Sequence, residues 1–413
     1  MATTISHPKR SLIRVTPGFL AWLFLIGVFL LIGIVSAVEV FWKGLVVTNM
    51  SDTVPWGLWI TIDLSAIALG AGAFTLSAVV YLFGLKRFQP IVRLAVYIGF
   101  IGYTSALLTL VMDIGRPDRF WHPWVYWNVH SVLWEITWCI TIYLAIMVLE
   151  FLPVVADSKV FNSLPRIGTL RKIAHLLHRG APVLALLGLG ISLLHQSSLG
   201  ATYGIVKSRP IWFKPSMPIM FIVSAISVGP ALTIAVAHIL EWVTGKRKIS
   251  PDILQTIARF SGFGILVYGY LKFWDLAAVS YYGRTPAVNE ALNLLRTQTP
   301  YNFSFWVFEV ILGVIVPAVF FITPRFNRNP ATVVLGALFA VFGIIINRWN
   351  VTVSGLFVPL SYSPGTLYQV EPGRYFPSVI EWGIAAGIIG YAMLMLTIGV
   401  RYLPLFEERQ EHA

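Results

Sequence analysis

The sequence predicts an all-α integral membrane protein of about ten transmembrane helices, with both termini cytoplasmic. Three observations carry this. Of 413 residues, 57% are hydrophobic and only 12% charged, and the mean hydropathy of +0.76 is far too high for a soluble domain. A bilayer core of roughly 30 Å takes about 20 apolar residues per helix. That template fits ten times, at about 17–41, 56–83, 93–113, 127–151, 180–203, 217–243, 256–281, 302–322, 330–350 and 377–402. Finally, 19 of the 30 Lys and Arg fall in the two tails and in alternate loops near 86–93, 159–179, 246–259 and 325–328, which the positive-inside rule places in the cytoplasm. The net charge of +12 is thereby a matter of topology, with membrane lipid as the surrounding partner and no nucleic acid implied.

The first span follows Lys9, Arg10 and Arg14 and could be taken for a signal peptide, but its apolar run is too long for an ordinary one. It is expected to be retained. The second opens in "PWGLW" and holds Asp63. The third ends at Asp113 because Gly115 and Pro117 follow, and proline neither donates a backbone hydrogen bond nor leaves Arg116 before it free to be helical. The fourth begins in "NVHSVLWE" and contains Cys139, the single cysteine. One cysteine excludes an intrachain disulfide and a cysteine-ligated cluster, so any iron-sulfur centre belongs to another subunit. A long basic loop at 153–179 precedes the fifth span, which carries His195, and the sixth holds Gly229, Pro230, His238 and Glu241. Lys272 and Asp275 lie in the seventh and Glu309 in the eighth, while Arg348 ends the ninth and Glu381 begins the tenth. Loops at 204–216, 282–301 and 351–376, rich in Pro, Tyr and Asn, suit an ordered docking surface on the exoplasmic side.

Charge inside a span costs about 2.5–3.5 kcal/mol on insertion scales and marks function by default. Here Asp63, Asp113, Glu135, Lys272, Asp275, Glu309, Arg348 and Glu381 all fall in the exoplasmic half, whereas Arg93, Glu150, Glu241, Arg259 and Arg401 sit at cytoplasmic helix ends. An ion pathway would spread its charge across the bilayer, so this pattern indicates a half-membrane site. Lys272 and Asp275 are three apart on one helix face, and Arg348 could neutralise Glu309 or Glu381, so that second polar cluster can be purely structural. Asp63, Asp113 and Glu135 have only Arg116 and Arg119 nearby, in the loop between spans 3 and 4.

Asn128, Ser131, Glu135 and Trp138 share one face at 100° per residue, a polar stripe descending from the aqueous edge. A carboxyl group in an apolar pocket can exchange protons with a bound redox partner near neutral pH. Trp121, Trp124, Tyr126 and Trp127 could stack on a ligand ring, although an interfacial aromatic belt accounts for them equally well. His130 and His195 lie at similar depths and could offer two axial ligands to one haem. His238 and Glu241 fit either a proton entry route or an interfacial pair.

The motif "DIGRPDRFW" followed by "NVHSVLWE" resembles the NrfD/PsrC family, the quinone-interacting membrane subunits of polysulfide reductase and related respiratory complexes. "FWKGLVVTNM", "PWGLWITIDL", "ALGAGAF", "LHQSSLG", "INRWNVTVSGL" and "RYLPLF" resemble its ten-helix branch of HybB, QrcD and DsrP type. The resemblance runs over nearly the whole chain. It implies a single domain with a first four-helix bundle at about 56–203, a second at about 217–350, and flanking helices at about 17–41 and 377–402. It further implies bound menaquinone or ubiquinone, no haem or metal in this chain, a ferredoxin-like iron-sulfur partner on the exoplasmic side, and further catalytic or cytochrome subunits. By motif position Asp113 and Glu135 match pocket-lining positions, Asp63 matches the acid after "PWGLW", and His130 and His195 match polar positions. Eight-span relatives lack counterparts for Arg348 and Glu381.

The expected function is therefore a quinone-binding electron-transfer subunit, inactive alone, in a bacterial or archaeal cytoplasmic (inner) membrane. Asp63, Asp113 and Glu135 are its proton-handling candidates, with Arg116, Arg119, Trp121, Asn128, Ser131, His130 and His195 around the quinone. A haem b anchor resting on His130 and His195, and a secondary transporter with a helix break at Gly229 and Pro230, remain as alternatives.

Overall fold

A computed structural model describes residues 16–158, 167–245, 248–282, 286–358, 360–363, 366–369 and 373–406. Several basic residues of the topology argument (Lys9, Arg10, Arg14, Lys159, Arg166, Lys246, Arg247 and Arg409) lie outside them. The order is α1 (Pro17–Lys43), α2 (Leu58–Gly70), α3 (Gly72–Tyr81), α4 (Gln89–Asp113), α5 (His122–Val125), α6 (Val132–Ala156), α7 (Ile167–Arg179), α8 (Ala181–Gly204), α9 (Met217–Thr244), α10 (Pro251–Tyr282) and α11 (Pro286–Thr297). A π-helical stretch, Phe303–Ile315, runs into α12 (Val316–Ile322) and is followed by α13 (Pro324–Asn327) and α14 (Pro330–Trp349), which ends in a second π-helical turn, Asn350–Ser354. A short antiparallel hairpin, β1 (Leu360–Ser363) and β2 (Thr366–Gln369), precedes α15 (Val379–Tyr402).

Local sequence explains where these helices start. Proline occupies the first turn of α1, α4, α8, α9 and α14, where its missing N–H is not needed. Thr16, Ser131 and Ser378 cap α1, α6 and α15 through their hydroxyls, each satisfying an end N–H that has no intrahelical partner.

Nine of the described helical segments are long and apolar enough to cross a membrane, and they correspond to nine of the ten expected spans. The chain is an integral membrane protein. The remaining expected span, 256–281, is α10, whose 32 residues extend about 48 Å at 1.5 Å per residue. It is less apolar than the other nine, and its Lys272 and Asp275 are both ion-paired across to other segments. The expected second span is broken at Ala71 into α2 and α3, and the loops at 153–179 and 282–301 contain α7 and the amphipathic α11.

The α2/α3 segment lies at the centre, with 78% of its most apolar window buried, against 11% for the segment beginning with α1. It packs on α4 and α9, α6 on α8, and α9 on α8, α10 and α14, while α1 and α15 pack on each other at the periphery. The break at Ala71 coincides with a backbone contact. A Cβ on Gly229 of α9 would lie 2.2 Å from the Gly72 nitrogen, so only glycine permits the two helices to meet there. Gly313 and Gly343 make the same kind of crossing between the π-helical stretch and α14.

Candidate functional site

At one end of the protein the start of α2 meets the ends of α4 and α8 and the start of α15. Leu58, the first residue of α2, donates its N–H to the Tyr375 hydroxyl at 2.8 Å, and Trp59 Nε1 donates to the Glu381 carbonyl at 3.2 Å. Trp56 stacks on Trp212 with ring centroids 5.7 Å apart. This anchoring fixes the register of α2 and puts Asp63 in the protein interior, 6% exposed. On α4 the helix ends at Asp113 because Gly115 takes the left-handed conformation, φ +68°, which Gly adopts without penalty.

Asp63 and Asp113 lie close enough to interact electrostatically, as do Asp113 and Glu381. One oxygen of each aspartate, Oδ1, is buried without a hydrogen-bond partner among the described residues. Arg116 turns away to the exposed Asp118, with bonds of 3.0 and 2.9 Å, and those bonds hold the Asp118 carboxyl below its ordinary range. Arg119 is exposed. Neither arginine forms an ion pair with Asp63, Asp113 or Glu135 among the described residues.

Glu381 belongs with this group and not with the second polar cluster. Its Oε2 accepts the N–H groups of Asn49 (3.1 Å) and Ser378 (2.9 Å), and its Oε1 accepts the Tyr375 hydroxyl. With Ser378 it forms a capping box for α15, two end N–H groups satisfied reciprocally.

Glu135 stands apart, its Oε1 accepting the Ser198 hydroxyl at 2.9 Å from α8. The polar stripe is shorter than the sequence suggests. The helix begins at Val132, Ser131 is its cap and accepts the Trp134 N–H at 3.3 Å, and Asn128 lies before it and is exposed. The cause is local, since a serine that caps the first turn cannot also extend the helical face. Trp138 does share the face, packing with Trp127 and Trp134. Trp121 is 42% exposed and donates Nε1 to the Asp118 carbonyl at 3.1 Å.

The two histidines are placed differently. His130 is exposed. His195 is wholly buried against Tyr103, 5.7 Å between centroids, with neither ring nitrogen hydrogen-bonded among the described residues. Its neighbour Gln196 donates to the Ile67 carbonyl at 3.3 Å, one turn beyond Asp63.

The second polar cluster is built differently from expectation. Lys272 pairs with Glu309, not with Asp275, and Asp275 pairs with Lys214 at 2.5 Å while accepting the Ser216 hydroxyl at 3.2 Å. Among the described residues Arg348 forms no ion pair with Glu309 or Glu381. It donates to Asn347 Oδ1 and Ser224 Oγ, both at 2.8 Å, and lies 3.8 Å over the Phe221 ring. The reason is reach and facing: α10 and the π-helical stretch pack on one another, which brings Lys272 to Glu309 across the interface.

Sequence reasoning missed Tyr375, Asn347, Asn350, Lys214 and the buried hydroxyls of Tyr103 and Tyr143. Tyr103 and Tyr143 count among the hydrophobic residues of their spans, and the others lie in loops or at helix ends that a search for charge within spans passes over.

The fold and this end of it define a polytopic helical membrane protein with uncompensated acids gathered where its helices end. The polysulphide reductase, NrfD family model matches residues 46–359, and the chain belongs to that family. The match leaves out α1 and α15, and with them Tyr375 and Glu381. Relatives include the menaquinone reductase integral membrane subunit of Nitratidesulfovibrio vulgaris, 33% identical over 401 residues, 95% of this chain and 93% of that one. The Hdr-like menaquinol oxidoreductase integral membrane subunit of Archaeoglobus fulgidus is 25% identical over 87% of each chain. Protein NrfD of Escherichia coli is 24% identical over 74% of this chain and 96% of its own.

Proposed function

We propose that this chain is the quinone-binding membrane subunit of a multisubunit respiratory oxidoreductase. It exchanges electrons between menaquinone, or ubiquinone in its place, and an iron-sulfur subunit docked at the end that carries Asp113. The observation that carries this reading is the pair Asp63 and Asp113, two carboxyl groups near enough to interact electrostatically, with an unpartnered buried oxygen each and no ion-paired base among the described residues. Such oxygens fit a quinone, whose reduction or oxidation at the ring oxygens takes up or releases two protons. The relatives named for menaquinone chemistry favour that quinone.

In this reading the quinone supplies the redox chemistry, and the residues of the chain do the rest. Asp63 and Asp113 hold and pass protons. Glu135, held by Ser198 on the neighbouring helix face, serves the same pool. Trp121 and Trp127, exposed beside that end, guide the ring or the partner subunit. The distribution of Lys and Arg supports a reading in which this end faces the exoplasmic side and both termini face the other.

The test is Asp113→Asn in the assembled complex. A positioned proton donor contributes on the order of a hundredfold or more, so quinone turnover should fall by about that factor while quinone remains bound in the extracted lipid. Unchanged turnover with bound quinone would remove Asp113 from the mechanism.

A further inference from the structure

The second polar cluster has no part in the reaction proposed above, and the structure gives it a shape of its own. A cleft lies between the first turn of α9, the second half of α10, the end of α14, α11 and the π-helical stretch. It encloses about 700 Å³ including its open mouth. Met217, Met220, Phe221, Leu276, Leu295 and Phe305 give it apolar walls.

Five charged side chains line it. Lys214 pairs with Asp275 and Lys272 with Glu309, while Arg348, 1% exposed, forms no ion pair among the described residues. Three cations against two carboxylates leave one positive charge. Hydrogen bonding is lopsided in the same sense. The Glu309 oxygens are filled by Lys272, by Asn347 Nδ2 at 2.8 Å and by Asn350 Nδ2 at 2.7 Å. Arg348 Nε and the Tyr268 hydroxyl, both buried and both lining the cleft, have no partner among the described residues. Buried donors left unmet are costly, so the group that completes this site brings acceptors.

We propose that the cleft binds the phosphate head of an anionic phospholipid, with Arg348 and Tyr268 donating to its oxygens and an acyl chain lying along the apolar wall. The surplus of donors and of one positive charge selects an oxyanion over a quinone, whose carbonyls accept hydrogen bonds but leave the charge uncompensated. The depth agrees. The mouth of the cleft lies where α9 begins and α14 ends, near the level at which a bilayer passes from hydrocarbon to headgroups, while Tyr268, 14 residues before the end of α10, lines its inner part; basic pockets between membrane helices are suited to such heads.

The experiment is native mass spectrometry of the delipidated full-length chain, titrated with phosphatidylglycerol, phosphatidylcholine of the same acyl chains, inorganic phosphate and a short-chain menaquinone. One phosphatidylglycerol should bind at least about tenfold more tightly than phosphatidylcholine, and Tyr268→Phe, which removes one hydroxyl donating to a charged acceptor, should weaken it by about tenfold. Arg348→Gln should abolish the preference. Tyr268→Phe keeps the test open if that variant fails to fold. Equal binding of the two lipids, binding of phosphate as tight as that of the lipid, displacement of the lipid by menaquinone, or an unaffected Tyr268→Phe would each overturn the proposal.

Discussion

Lys272 of α10 reaches across the helix interface to Glu309 and leaves Asp275, three residues along its own helix, to Lys214. Glu309 sits in the π-helical stretch, whose wider turns are frequent at functional positions, and two asparagines bracket its carboxylate. Breaking a buried pair by removing one partner strands a charge, at a cost of about 3–5 kcal/mol, whereas replacing both with apolar side chains is often neutral. Lys272→Met alone should therefore destabilise the detergent-solubilised protein strongly. Lys272→Met combined with Glu309→Leu should recover part of the loss, the rest being the cost of the Asn347 and Asn350 amides that then lack their acceptor. Thermal unfolding of the two variants decides, and a single variant as stable as the parent would show that the pair contributes little.

The contact between Gly72 and Gly229 makes a second prediction with an internal control. A methyl group on Gly229 would sit 2.2 Å from backbone, with no flexible side chain to yield, while one on Gly190 of α8 would meet nothing within 4 Å. Overpacking of this kind costs about 1–3 kcal/mol or more. Gly229→Ala should lower the midpoint of thermal unfolding and the yield of folded protein, and Gly190→Ala should do neither.

Much of this architecture is legible from composition, because lipid forces every span to satisfy its own backbone and so to be a long apolar helix. Asp63 and Asp113 stand out for the same reason, being charges without nearby bases. What the sequence hides is who faces whom. Spacing along α10 makes Asp275 the obvious partner of Lys272, yet packing gives it Glu309. Glu381 reads as a member of the second cluster until the fold brings the start of α15 beside α2. Asn128 reads as helical because periodicity cannot tell that Ser131 is a cap.

Tyr375 links the two segments that bracket the acids, accepting from Leu58 N and donating to Glu381. Burial first, and then the bond to Glu381, push its hydroxyl above the ordinary tyrosine range, so it stays a donor throughout the physiological pH range. Tyr375→Phe leaves the Leu58 N–H and one Glu381 oxygen short of a partner, a loss of about 1–3 kcal/mol. The expected outcome is faster hydrogen exchange at the start of α2 and a reduced quinone turnover with bound quinone retained. Unaltered exchange at Leu58 would mean that the hydroxyl does not hold that turn.

Glu135 differs from Asp63 and Asp113 in having a specific neutral partner, Ser198. If it passes protons, Glu135→Gln in the assembled complex should depress turnover between about pH 6 and about pH 9, because the amide keeps the hydrogen bond and loses the exchangeable proton. Ser198→Ala should have a smaller effect. A flat profile indistinguishable from that of the parent would reduce Glu135 to a structural tie between α6 and α8.

The sidedness on which the proposed partner depends can be tested directly, because Cys139 is the single cysteine and is buried. In a Cys139→Ser background, Ser208→Cys lies on an exposed position between α8 and α9, at the same end as Asp113, and Arg328→Cys lies on an exposed position at the opposite end, between α13 and α14. Placing the basic loops in the cytoplasm requires a membrane-impermeant thiol reagent added outside intact cells to label Ser208→Cys and to spare Arg328→Cys until the membrane is opened. The reverse pattern would move the acids, and with them the docking face for an iron-sulfur subunit, to the cytoplasmic side. The electron donor or acceptor would then have to be sought among cytoplasmic enzymes.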